Sequence, residues 1–140
     1  MSWERVVTIH DFYDGPRRGF AFLDGKLHAY RSIFDEGRDE YSEEFDLTPV
    51  DESFLPLIEE DWAIWIRWAT AFHAGKAPLD THPALLADRS RRDELKAVLD
   101  PLLASHSDKS VRRLAEFRCI DIIGWKQDPE VRWSLPDDRT

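Results

Sequence analysis

The chain has 140 residues, of which 42% are apolar and 12% aromatic, with six Trp; this excludes a disordered chain and is enough for one core without disulfides or metals. Its one cysteine, Cys119, excludes an internal disulfide. The net charge of −9 is concentrated in residues 35–61, where twelve acidic side chains and one basic one give −11, a density that repels a phosphate backbone and argues against a nucleic-acid reader.

The first third reads as strands. Arg5 to Tyr13 is rich in β-branched and aromatic residues, and Asp14 to Gly19 carries strong turn chemistry. Phe20 to Leu23 is a short second strand, and Asp24-Gly25 favours a tight hairpin into Lys26 to Phe34. Three strands in a meander follow. Asp35 to Glu40 reads as a loop, and Phe45 and Leu47 alternate with Asp46 and Thr48 in a fourth strand placed at the sheet edge.

Phe54 to Ala74 has the clearest helical periodicity, with Ser53 as N-cap and Pro56 in the first turn. Phe54, Ile58, Asp61, Trp65, Trp68 and Phe72 share one stripe, which predicts a largely buried helix. A second helix begins near Ser90 and meets Pro101, which predicts a kink or a break. Val111 to Ile123 fits helix or strand; β-branched Ile120, Ile122 and Ile123 favour strand for 116–122, with a hairpin turn at 124–129 and a last strand over 130–135. The predicted fold class is α+β: an antiparallel sheet of five or six strands, N-terminal meander plus C-terminal hairpin, with two or three helices on one face. Residues 1–140 are expected to form a single globular domain. The start lacks the apolar stretch of a signal peptide, and Phe54 to Phe72 carries too many charges to span a membrane, so a cytoplasmic location is expected.

Tyr13-Asp14-Gly15-Pro16-Arg17, with Gly19, Ala21, Gly25, His28 and Tyr30, resembles the opening of a family of small uncharacterised bacterial proteins. The helix bearing Trp62, Trp65, Arg67 and Trp68 is similar as well. The resemblance covers about the first half of the chain and implies no activity and no site residues.

Two sets of residues invite a functional reading. His10, Asp14 and Arg17 lie close together around the first turn; with His28 and Asp61 they define a small-molecule pocket between the first hairpin and the long helix. The plainer reading is a polar hairpin with Asp14 capping its turn. The acidic stretch offers Tyr41, Glu43, Glu44, Phe45 and Asp46 as a docking surface for a basic protein, with the aromatics as anchors; its plainer reading is a solvated edge. The five histidines show no zinc spacing, and the chain lacks a phosphate loop, a dinucleotide fingerprint and a Gly-x-Ser-x-Gly motif, so neither metal nor cofactor is expected. The Trp-rich helix reads as core rather than as a sugar platform, with Trp3, Trp125 and Trp133 nearer the surface. The preferred expectation is a non-catalytic interaction domain that binds a protein through residues 35–61, with homo-oligomerisation left open. The alternative is a small-molecule-binding protein or enzyme.

Overall fold

Turn chemistry and β-branched runs build the first third of the chain as a meander, with the second strand starting at Pro16 rather than at Phe20 and the first turn correspondingly shorter. A computed structural model describes residues 2–120 and 128–136. Strand β1 (Glu4–Phe12) pairs with β2 (Pro16–Leu23), and β2 pairs with β3 (Lys26–Asp35). Asp24 and Gly25 both adopt positive φ, 53° and 75°, as a two-residue hairpin requires. Glu4 secures that turn: its carboxylate accepts from the Asp24 and Gly25 backbone N–H groups at 3.0 and 2.8 Å.

The sheet does not stay open. Strand β4 (Glu40–Pro49) pairs with β3 on one side and β5 (Val111–Arg118) on the other. Strand β6 (Glu130–Ser134) pairs with β5 and returns to β1 through Glu4 with Val131 and Arg5 with Glu130. The result is a closed antiparallel barrel of six strands in chain order, accompanied by two α-helices. This corrects the predicted α+β open sheet with helices packed on one face. It also corrects the edge assignment of the fourth strand, whose backbone is paired on both sides. The reason is long-range pairing: β4 and β5 meet across 61 intervening residues, which no local pattern announces.

Helix α1 (Leu55–His73) follows a 3₁₀ turn, Glu52–Phe54, which Asp51 caps by accepting from the Ser53 N–H at 2.8 Å; the N-cap position of α1 itself falls on Phe54 rather than on Ser53. Helix α2 (Arg89–Leu103) passes through Pro101 unbroken, because that residue falls in the last turn. Strand β5 starts and ends earlier than the expected 116–122, and most of the hairpin turn expected at 124–129 lies outside the described residues. No helix among the described residues is long and apolar enough to cross a membrane.

Two apolar layers share the sheet. One fills the barrel with Val6, Ala21, Tyr30, Phe45, Leu47, Val131 and Trp133. The other lies between the outer face of β1–β3 and the helices, with Val7, Phe20, Leu27, Ile58, Ile64, Leu95 and Leu99. Trp133, expected near the surface, is buried, and its indole N–H donates to the Phe22 carbonyl at 2.9 Å. Trp68 is buried, while Trp62 and Trp65 are half-buried.

Neighbouring residues of β1 point to different layers, and a β-bulge alters the alternation. Val6 pairs with Ala21, but Thr8 pairs with Phe20, so two steps on β1 match one on β2. The Tyr30 hydroxyl donates to the Thr8 carbonyl at 2.8 Å, and the Thr8 hydroxyl accepts from the Phe20 N–H at 3.1 Å. Gly19 makes room: a Cβ there would lie 2.2 Å from the Thr8 carbonyl oxygen and 2.7 Å from the Tyr30 hydroxyl. Gly19→Ala is expected to destabilise the fold by about 2–3 kcal/mol. Tyr30→Phe should cost about 1–2 kcal/mol by removing the donor from a buried carbonyl. Urea unfolding of each variant measures both effects; wild-type stability of the alanine variant would show that the bulge relaxes freely.

Candidate functional site

The turns at one end of the barrel carry exposed aromatic rings. Phe34 and Tyr41 are paired across the β3–β4 turn, with ring centroids 5.1 Å apart. Tyr13, at the β1–β2 turn, brings its ring to 6.1 Å from Tyr41. Tyr13, Phe34 and Tyr41 are 71%, 45% and 39% exposed, an unusual concentration of aromatic surface around one ring, Tyr41. Arg17 locks the arrangement. Its guanidinium lies 4.5 Å from the Tyr41 ring centroid and donates to the backbone carbonyls of Tyr13 and Asp14 at 2.6 and 3.1 Å.

Tyr41 separates two concavities. One, of about 790 Å³, opens toward the barrel mouth between Asp14, Arg17, Glu43, Phe45, Phe117 and Arg132. The other, of about 550 Å³, lies between Tyr13, Phe34, Asp39 and Glu40. Both fall within the size range of ligand clefts. The mouth exists because the β1–β6 seam is short: beyond Arg5 with Glu130 it is extended by the Val6 N–H donating to the Pro129 carbonyl at 3.0 Å.

Much of the acidic charge is answered internally. Arg112 on β5 stands 4.0 Å from Glu44 and 3.5 Å from Asp46. Arg91 on α2 holds Glu60 at 2.7 Å, and Arg5 reaches Glu59 at 3.4 Å. Glu36, Asp39 and Glu40 on the β3–β4 turn make no ion pair with a described residue. These three unpaired carboxylates lie beside the aromatic rings.

A third, smaller cavity of about 100 Å³ lies between β1, α1 and the start of α2, lined by His10, Asp61, Trp62, Trp65, His82 and Arg92 among others. The bulge turns His10 outward toward α1, where its ring meets Phe20 edge-on at 5.9 Å. His10 Nε2 is 3.7 Å from Asp61 Oδ2, too far for a hydrogen bond, and finds no hydrogen-bond partner although it is buried. Burial drives both groups toward their uncharged forms: the His10 imidazole is lowered from 6.5 to about 4, with Arg18 adding to the effect, and the Asp61 carboxyl is raised.

The structure distributes the sequence-derived candidates over several places. His10 and Asp61 converge, as expected of a pocket between the hairpin and the long helix. Asp14 and Arg17 instead border the barrel mouth, together with Tyr41, Glu43 and Phe45. His28 is buried near the other end of β3, its Nδ1 2.8 Å from the Lys26 carbonyl. Of the partner-binding residues, Tyr41 is exposed, Phe45 belongs to the barrel interior at 4% exposure, and Glu44 and Asp46 face Arg112. Tyr13, Phe34, His82 and Arg92 are not among the sequence-derived candidates. Phe34 and Tyr41 flank the Asp35–Glu40 turn symmetrically, which is the one signal that could have joined them; Arg92 carries none. Among the described residues no group of three His, Cys, Asp or Glu is arranged to hold a metal ion. Comparisons with protein-family models, with curated proteins and with solved structures give no match.

The depressed His10 value makes stability pH-dependent. As pH falls, the unfolded chain protonates His10 near 6.5 and the folded chain only near 4, so the fold loses stability across that interval. The loss is about 3 kcal/mol at most, since a fifth of the side chain remains exposed. Asp61 acts in the opposite sense at the acid end, being easier to protonate when folded than when unfolded. His10→Gln should flatten the slope between pH 6.5 and 4 in urea titrations; an unchanged slope would place its origin elsewhere.

Proposed function

We propose that this chain is a non-catalytic interaction domain that binds a basic protein partner at the barrel end around Tyr41. The observation that carries the reading is the juxtaposition of three exposed aromatic rings, Tyr13 and Phe34 each against Tyr41, with three carboxylates that no described cation pairs. Aromatic anchors inside a charged rim are what interface hot spots require. A partner segment that presents Lys or Arg beside an apolar side chain would lay the apolar group against Tyr13, Phe34 and Tyr41. Its cation would meet Glu36, Asp39 and Glu40.

The anchors are pre-ordered, which favours affinity. Arg17 holds the β1–β2 turn by its backbone carbonyls and covers one face of Tyr41, so little side-chain freedom is lost on binding. The exposed rings sit on the turns at the barrel end, so recognition proceeds through side chains and turns rather than by adding a strand. The single cysteine and the absence of any disulfide requirement suit a cytoplasmic domain.

Capture of the tagged protein's partners from its host lysate tests this reading. A basic protein should be retained at low salt and released near 1 M salt, where screening shortens the electrostatic range to about 3 Å. Tyr41→Ala should weaken its binding about 30-fold, and the double change Glu36→Lys with Glu40→Lys should abolish retention while circular dichroism stays unchanged. Equal retention by all three proteins would remove the barrel end as the interface.

A further inference from the structure

The small cavity between β1, α1 and α2 holds opposite charges that do not meet. Arg92 and Asp61 both line it, yet Arg92 makes no hydrogen bond or ion pair with any described residue, and Asp61 makes no hydrogen bond. Elsewhere on the same helices such pairs close: Arg67 with Asp88 at 3.0 Å and Arg91 with Glu60 at 2.7 Å. Beside the open pair, His10 Nε2 is buried without a hydrogen-bond partner. A buried imidazole nitrogen left unsatisfied is costly unless something occupies the space it faces.

We infer that this cavity is a binding site for a small, neutral, planar group with a donor edge and an acceptor edge, a primary amide or urea-type function. Such a group offers its carbonyl oxygen to the Arg92 guanidinium and its N–H bonds to Asp61 and His10, which stand close enough together for one NH₂ to serve both. The two formal charges of the site cancel, so a neutral guest leaves them balanced, whereas a lone carboxylate or a lone ammonium would leave one buried charge in excess. Aromatic side chains make up part of the wall: Trp62 and Trp65, stacked on each other at 5.1 Å, and His82 all line the cavity. A volume of about 100 Å³ limits the bound portion to something smaller than benzene, which occupies a cavity of about 150 Å³. Partial exposure of His10 and Asp61, 20% and 13%, leaves a way in. The site stands apart from the barrel end, so its failure or success is independent of the partner-binding reading.

Titration of the full chain with acetamide at pH 7 is the test, followed by the His10 and His82 imidazole ¹⁵N resonances and the Trp62 and Trp65 indole N–H signals. Saturable shifts in the millimolar range are expected, as befits a ligand of so few atoms. Acetate and methylammonium, each carrying half of the complement, should give no saturation. Arg92→Gln and Asp61→Asn should each weaken acetamide binding about tenfold or more, while far-ultraviolet circular dichroism confirms that both variants remain folded. Absence of saturation with acetamide, saturation by acetate instead, or unchanged affinity in both variants would overturn the assignment and leave the cavity as a hydrated gap.

Discussion

The Thr8 carbonyl, turned inward by the bulge in β1, is met by the hydroxyl of Tyr30 at 2.8 Å, and the contact exists only because Gly19 has no side chain. Tyr30 is wholly buried, and burial keeps its phenol in the protonated, donating form. Its ring packs near Phe45, Phe117 and Trp133, which come from the three strands that complete the barrel. One side chain therefore joins the polar requirement of a bent strand to the apolar filling of the closed sheet. Removing either half leaves the other unsupported: the carbonyl without a donor, or the barrel without its central ring.

The same bulge decides what β1 shows to each layer. With strict alternation from Val6, His10 would face the barrel interior; the extra residue sends Ile9 inward to the barrel core and His10 outward against α1. The cavity with Asp61 and Arg92 is thus a consequence of strand geometry as much as of helix packing. Polar groups accumulate there because the apolar layer between sheet and helices ends at this point, with Ile64 on its border and Trp62 and Trp65 only half-buried.

Charge follows an equivalent logic. Read along the chain, residues 35–61 form one acidic block. In space, β4 lies beside β5 with Arg112, and α1 lies beside α2 with Arg91, so the block is broken into paired and unpaired parts. Among the described residues, the unpaired part includes Glu36, Asp39 and Glu40 around the β3–β4 turn, and Asp51 and Glu52 ahead of α1. The proposed docking surface is therefore narrower than the acidic sequence implies, and its aromatic components come from two separate turns.

Local chemistry was legible in the sequence wherever the cause is local. The meander β1–β3, the Asp24-Gly25 hairpin, the long helix and its first-turn proline, and the last strand follow from β-branching, turn residues and helical periodicity, which act over a few residues. Tyr41 could be singled out because it is an aromatic ring in a charged turn, and His10 with Asp61 because each is polar among apolar neighbours. Barrel closure, the internal pairing of the acidic block, the burial of Phe45 and Trp133, and the approach of Arg92 to His10 were decided by tertiary structure alone. Each depends on which strand or helix lies beside which across tens of residues, and side chains of the same type, such as Arg91 and Arg92, acquire opposite fates from a rotation of one residue along a helix.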